Sequence, residues 1–317
     1  MNRIYPLSGK EVVISEIQEE LPLSLHLTFY GHTTSIRTNS ERLCDHISRN
    51  YHYFLTRGND SRSPFVVLDE EASDISPYVR RLFPGRNITG NLLIARELDM
   101  IFLISGYSNL AYELACIMFQ SMVLHLSNQY FNLHAAALVK DSKGILIPGS
   151  QHCGKTTLSL ELIKHGFRLL SDDLAIIDRK TLEVMPFPRA LNIREHSLPL
   201  ISDFEDHLVS RREFEIADEK RWFLDLKEFS GASFIPTSII FPQLTPAEAP
   251  SLEPFSRTRA LLELLRQAMA PFLPGLPQPD DSSNFDVASR LVQHASTYTL
   301  KVGDITETID LLMEGLS

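Results

Sequence analysis

Apolar and polar positions alternate over residues 23–30 as in a half-buried strand, and 63–68 form a short apolar run that reads as another. Residues 91–96 and 100–105 predict a hairpin turning at Glu97-Leu98-Asp99. A long helical run follows over 110–128. These elements predict a smaller α+β domain over residues 1–127. From 128 onward, short apolar strands alternate with helical runs, the pattern of an α/β domain. Strands are expected at 133–139, 144–148, 167–170, 174–177, 238–241 and 297–302, and 184–188 leads to 190–193. Helices are expected at 157–165, 258–268, 285–294 and 305–313. Gly166 is placed to end the first of these helices, and Pro242 to end the strand at 238–241. Residues 271–283 carry Pro, Asp and Ser without apolar period and read as an exposed loop.

Composition narrows the class. Apolar residues make up 44% and charged residues 22% of the chain, as in globular proteins. The net charge of −10 gives no support to nucleic-acid binding. The longest apolar stretch, 110–126, contains Glu113, Gln120 and His125, too polar for a membrane span. The first residues do not read as a secretory signal. Cys44, Cys116 and Cys153 are an odd, sparse set that fits a reducing cytoplasm.

The chemistry concentrates at Gly149-Ser150-Gln151-His152-Cys153-Gly154-Lys155-Thr156, a complete G-x-x-x-x-G-K-T sequence. An apolar strand precedes it, and Thr157 continues into a helix. Strand, glycine loop and helix N-terminus together make a site for nucleotide phosphates. Lys155 is expected to reach the β- and γ-phosphates, and the Thr156 hydroxyl to coordinate Mg²⁺. Asp172 and Asp173 end the next predicted strand, where ligands of open α/β sheets bind. Such a pair can divide two tasks: one carboxylate takes a proton from an acceptor hydroxyl, the other supports the metal. His134 sits one strand before the loop, where both strand ends can converge.

The stretch Leu133-His134-Ala135-Ala136-Ala137, the loop with Thr156-Thr157, and Leu169-Leu170-Ser171-Asp172-Asp173 resemble the catalytic domain of the HPr kinase/phosphorylase family. The spacings are fifteen residues from His134 to Gly149 and twenty-three from Gly149 to Asp172. The resemblance implies an HPr-kinase/PEP-carboxykinase-like P-loop fold over 128–317, with ATP and Mg²⁺ as cofactors. By the same likeness Asp172 is the general base and Asp173 supports the metal. His134 would orient Asp172 or touch the transferring phosphoryl group. Pro188-Arg189-Ala190-Leu191-Asn192-Ile193-Arg194 resembles the family's later motif, with Asn192 in the place of a metal-binding glutamate. Arg194 is then a phosphate clamp, and Arg189 a second candidate.

Residues 1–127 do not look like the regulatory domain of the carrier kinases, and the region after 194 lacks their later pattern. The chain is more similar to the related kinases of bacterial peptide-biosynthesis clusters, including lasso-peptide kinases that phosphorylate a precursor's C-terminal serine. That likeness implies a precursor peptide as partner, with the N-terminal region as its candidate binding part, and leaves a homo-oligomer open. Arg211-Arg212 and Lys220-Arg221-Trp222 are local positive features for a carboxylate or phosphate, or part of a solvated face. The same site chemistry also suits a kinase of a small hydroxylated metabolite, or a nucleotide switch without acceptor.

Overall fold

The first six strands form one sheet, and four helices accompany them. In chain order the elements are β1 (Arg3–Pro6), α1 (Glu11–Glu20), β2 (Leu23–Phe29), β3 (His32–Thr38), α2 (Glu41–Asn50), β4 (Phe65–Leu68), α3 (Ser76–Leu82), β5 (Asn91–Ala95), β6 (Met100–Ile104) and α4 (Tyr107–Leu126). The computed structural model describes residues 3–58, 63–86, 88–150, 153–209, 214–216, 219–245, 248–269 and 281–316. The sheet order is β1-β6-β5-β4-β3-β2, with β3 and β4 parallel and the other neighbours antiparallel. The central strands are apolar throughout because both sheet faces are covered. Val66, Leu68, Leu92 and Ile94 pack with Ile14, Ile17 and Val79 on one side. Phe65, Val67, Leu93 and Ala95 pack with Ile47, Leu110 and Leu114 on the other.

The hairpin at 91–105 and the long helix are as the pattern predicts, whereas β1, α1, β3, α2 and α3 are additions. β3 illustrates why. It returns from β2 through Tyr30 (φ 47°) and Gly31 (φ 85°), a two-residue turn with both φ positive. Its sequence is largely polar, yet Thr34, Ser35 and Thr38 are buried.

The remaining elements are β7 (Tyr130–Leu133), β8 (Ala135–Lys140), β9 (Lys143–Pro148), α5 (Lys155–Lys164), β10 (Arg168–Ser171), β11 (Ala175–Asp178), β12 (Val184–Met185), β13 (Leu191–Arg194), β14 (Phe214–Ile216), β15 (Glu219–Leu224), β16 (Ser238–Leu244), β17 (Ser251–Pro254), α6 (Arg257–Gln267), α7 (Asp281–His294), β18 (Ser296–Val302) and α8 (Ile305–Gly315). A 3₁₀ stretch, Glu195–His207, follows β13. The larger sheet runs β10-β8-β9-β16-β18-β17, with β9, β16 and β18 mutually parallel. Two three-stranded sheets, β12-β11-β7 and β13-β15-β14, complete a mixed α/β molecule.

Three expectations are corrected. Residues 133–139 are not one strand: β7 joins β11, β8 joins β9 and β10, and His134 stands where the chain changes sheet. Pro242 does not end β16, which continues to Leu244. Beyond Ile239 that strand pairs only with β18, so the missing proline N–H has no ladder bond to break on its open side. The helix expected at 285–294 begins earlier, at Asp281. Residues 271–280 of the expected loop lie outside the described residues. Gly166 does end α5. At φ 90° its N–H bonds Ile163 O at 2.9 Å, and Phe167 N–H bonds Leu162 O at 3.1 Å, a Schellman closure.

The expected boundary after residue 127 falls just past α4, but the core crosses it. Tyr130, Leu174, Ile176 and Phe187 share one hydrophobic cluster with Phe29, Tyr51, Phe54 and the residues of α4. The Phe187 ring lies 5.0 Å from Phe54 and 6.2 Å from Phe29. Polar ties reinforce the contact. Tyr30 Oη donates to the Pro186 carbonyl, Tyr53 Oη to Asp225 at 2.5 Å, and Ala190 N–H to the Asn50 carbonyl at 3.1 Å. Among the described residues, no helix is long and apolar enough to cross a membrane.

Candidate active site

The glycine loop connects β9 to the start of α5. Gly154 has φ 91°, a left-handed conformation that favours glycine. A Cβ at Gly149 would stand 2.5 Å from Cys153 Sγ, so any other residue there would require the Cys153 side chain to move. Lys155 is buried, and its Nζ donates to the carbonyls of Gly149 at 2.8 Å and Ser150 at 2.9 Å. Thr156 and Thr157 follow in the first turn of α5, and Thr156 Oγ1 donates to Asp172 Oδ2 at 2.8 Å. Gln151 and His152 lie outside the described residues.

The two neighbouring carboxylates have different surroundings. Asp172 Oδ1 is buried and has no hydrogen-bond donor among the described residues. Burial, followed by the adjacent Asp173 charge, pushes the Asp172 carboxyl up to about 7, against the Thr156 hydrogen bond and the charges of Lys155 and Arg189. Asp173 instead pairs with Arg189, Nη2 to Oδ2 at 2.8 Å. Arg189 also hydrogen-bonds the Tyr51 side chain, brought from the end of α2. The carboxylate beside Thr156 is therefore that of Asp172. Asp173, expected to support the metal, is paired with Arg189, which the segment leading into β13 brings up beside it.

His134 is anchored by its backbone, its N–H bonding the Gln267 carbonyl at 2.9 Å and its own carbonyl accepting from Gly149 N–H at 3.3 Å. The chain thus fixes the start of the glycine loop to the point where β7 passes into β8. The imidazole bonds the Gln267 side chain, and among the described residues it has no bond to Asp172. Burial and then the Lys155 charge hold His134 below its ordinary pKa, against a pull from Asp173, so the ring is neutral at pH 7.

These groups line one cleft of about 760 Å³. Asn192 and Arg194 enter it from β13, and Asn192 Oδ1 is a second buried oxygen without a donor among the described residues. The far wall comes from the N-terminal part: His46, Asn50 and Tyr51 at α2, and Tyr112, Cys116 and Phe119 on α4. Nothing near these positions signals a site in sequence, since they reach the cleft only through packing of α2 and α4. Arg221, flagged by its local charge, also lines the cleft, whereas Arg211 and Arg212 lie outside the described residues.

Among the described residues, no group of three His, Cys, Asp or Glu side chains is arranged to hold a metal. Magnesium in phosphate sites needs less from the protein, being held by one or two side-chain oxygens, water and phosphate oxygens. Thr156 Oγ1 and Asn192 Oδ1 suit it in kind, both being hard oxygens. No protein-family model matches this chain, and no curated protein matches it.

Proposed function

We propose that the protein is an ATP- and Mg²⁺-dependent serine kinase acting on a peptide, with the C-terminal serine of a lasso-type precursor as its acceptor. The observation that carries this reading is the Thr156–Asp172 hydrogen bond at 2.8 Å at the mouth of the glycine loop, with the second carboxylate oxygen of Asp172 left without a donor among the described residues. A phosphate loop alone would suit a nucleotide switch. A buried carboxylate tuned to about 7 beside it suits removal of a proton from an alcohol. The resemblance of residues 133–173 to the HPr kinase family points the same way.

In this reading Lys155 exchanges the Gly149 and Ser150 carbonyls for β- and γ-phosphate oxygens. Asp172 Oδ1 accepts the seryl proton as the seryl oxygen bonds to the γ-phosphorus. The bond from that phosphorus to the bridging oxygen breaks, and its electron pair leaves on ADP. The proton then passes from Asp172 to solvent. Thr156 and Asn192 would hold magnesium, which would supply neutralisation of phosphate charge. Arg194 would clamp a phosphate oxygen, and Arg189 keeps Asp173 away from the acceptor oxygen. Neutral His134 adds no positive charge beside Lys155 and keeps the loop tied to β8. A kinase of this type works in the cytoplasm, where ATP is abundant.

Incubation with ATP, Mg²⁺ and the precursor peptides encoded beside its gene tests the reading by mass spectrometry. A gain of one phosphoryl group on a terminal serine supports it. Nucleotide binding with no peptide product would favour a small-metabolite kinase or a switch, and absence of nucleotide binding would remove the kinase reading. The acceptor kcat/KM is expected to rise about tenfold per pH unit below pH 7 and to level off above it, because only ionised Asp172 takes the proton. A flat profile from pH 5.5 to 8 would argue against Asp172 as the base.

A further inference from the structure

Helix α4 is apolar on more sides than the core uses. Leu110, Leu114, Ile117, Met118 and Met122 are buried in the cluster shared with the N-terminal sheet. Tyr112, Ala115, Cys116 and Phe119 follow at i, i+3, i+4 and i+7, a single stripe of the helix, and line the cleft. Tyr112 is 46% exposed, and the other three are partly buried. Burial raises the Cys116 thiol above its ordinary range, so the stripe carries no charge at pH 7. The Tyr112 side chain hydrogen-bonds Cys116 one turn on, which lays its ring along the helix. Met269 extends the apolar surface. Its N–H bonds Asn132 O at 2.8 Å, two residues before His134, and its side chain packs on the same cluster as α4. A helix face left to solvent is ordinarily polar. An aromatic and apolar stripe in a cleft is the ordinary lining of a ligand pocket, and the phosphate chemistry uses none of these side chains.

The stripe is continuous with the site. Tyr51, just past the end of α2, hydrogen-bonds Arg189, which pairs with Asp173 at 2.8 Å. The Asn50 carbonyl holds Ala190 N–H at 3.1 Å. These bonds tie α2 to the carboxylates, and α4 packs beside α2. Asn50 is only 3% exposed, lines the cleft, and its Oδ1 has no donor among the described residues. A buried amide oxygen of this kind calls for a donor from whatever fills the cleft. An acceptor that offers its hydroxyl to Asp172 therefore meets, on the far wall, one hydrogen-bond acceptor and a broad apolar surface. A sugar or other polyol carries donors, but it would bury hydroxyls against the stripe without partners. A peptide carries both an N–H and apolar side chains. In an extended peptide successive side chains point to opposite sides. With the serine turned to Asp172, the side chain before it turns to α4.

We infer that Tyr112, Cys116 and Phe119, with Met269, bind a large apolar side chain immediately before the phosphorylated serine. The inference rests on the serine-peptide reading and names the class of peptide that the site selects. Tyr112 is its most exposed member and the one that can be replaced without opening the core.

The test uses pools of acetylated peptides ending in serine, with leucine, glutamine or glycine before it and the remaining positions randomised without serine or threonine. Each pool is incubated with the full-length protein, ATP and Mg²⁺, and phosphopeptide is measured by mass spectrometry. The leucine pool is expected to react roughly ten- to hundredfold faster than the glycine pool, the range for burying one such side chain. The glutamine pool, equal in reach but polar, should stay near the glycine pool. Tyr112→Ala should shrink the leucine preference about two- to tenfold. Tyr112→Phe should keep it, and ATP affinity should not change in either variant. Equal rates for leucine and glycine, or for leucine and glutamine, in the unmutated protein would overturn the subsite and leave the kinase reading standing. A leucine preference that Tyr112→Ala leaves intact would place the pocket elsewhere and overturn the inference. Weaker ATP binding by Tyr112→Ala would assign the stripe to the nucleotide, and the inference fails. ATP binding without phosphorylation of any pool would overturn both the inference and the serine-peptide reading.

Discussion

Asp172→Asn is expected to lower phosphoryl transfer by about a hundred- to ten-thousandfold while leaving ATP affinity close to that of the parent. The amide keeps the size of the side chain and an oxygen to accept from Thr156, which donates to Asp172 Oδ2 at 2.8 Å. It removes the group that can take a proton. Stability should move the other way. Burial raises the folded-state pKa of Asp172 to about 7, above the roughly 3.9 of an unfolded aspartate. The folded chain therefore holds this proton more tightly, and the associated stabilisation is present below about pH 4 and lost as pH rises to about 7. Asparagine has no such dependence. The melting temperature of the variant relative to the parent should be higher at pH 8 than at pH 5. Retained transfer activity would remove Asp172 from the chemistry; a relative melting temperature lower at pH 8 than at pH 5 would contradict its raised pKa.

Phe187→Ala is expected to destabilise the whole chain by about 3–5 kcal/mol, the range for a buried aromatic truncated in a core that cannot fully close. Phe187 is buried against Phe54 and Phe29, so its ring belongs to the cluster that joins the N-terminal sheet to the α/β part. Its backbone matters to the site as well: Phe187 N–H bonds Leu170 O at 2.8 Å, and Arg189 N–H bonds Phe187 O at 2.8 Å. Loss of the ring loosens the segment that places Arg189 against Asp173, so turnover should fall together with stability. Urea unfolding followed by tryptophan fluorescence reports the change, with a lower midpoint and an unchanged slope. A midpoint equal to that of the parent would show that the two parts do not depend on this shared core.

The glycine loop and its setting are the most legible part of the chain in sequence. Gly149, Gly154, Lys155 and Thr156 lie within eight consecutive positions, and their geometry follows from local rules: a strand, a turn needing positive φ, and a helix start. Gly166 is equally local, since a helix end with a left-handed glycine closes through its own neighbours. The hairpin of β5 and β6 is legible for the same reason. Where contacts decide, the pattern is silent. β3 is polar in composition and becomes a strand because β2 and β4 bracket it. Pro242 sits inside β16 because one side of that strand is open there, a fact about neighbours that the residue itself does not carry.

The sequence by itself determined the glycine loop, the acidic pair after it, and the run of strands and helices in the second part, because each depends on residues close together along the chain. Only the tertiary structure decided which carboxylate meets Thr156, that Asp173 belongs to Arg189, and that Arg194 stands opposite Arg221. It also decided that Asn50 and Tyr51, more than a hundred residues from Asp172, close the cleft. Those pairings depend on strand register and on how α2 and α4 pack between two sheets. Such long-range packing is set by the shape of the whole core, which no local window of sequence contains.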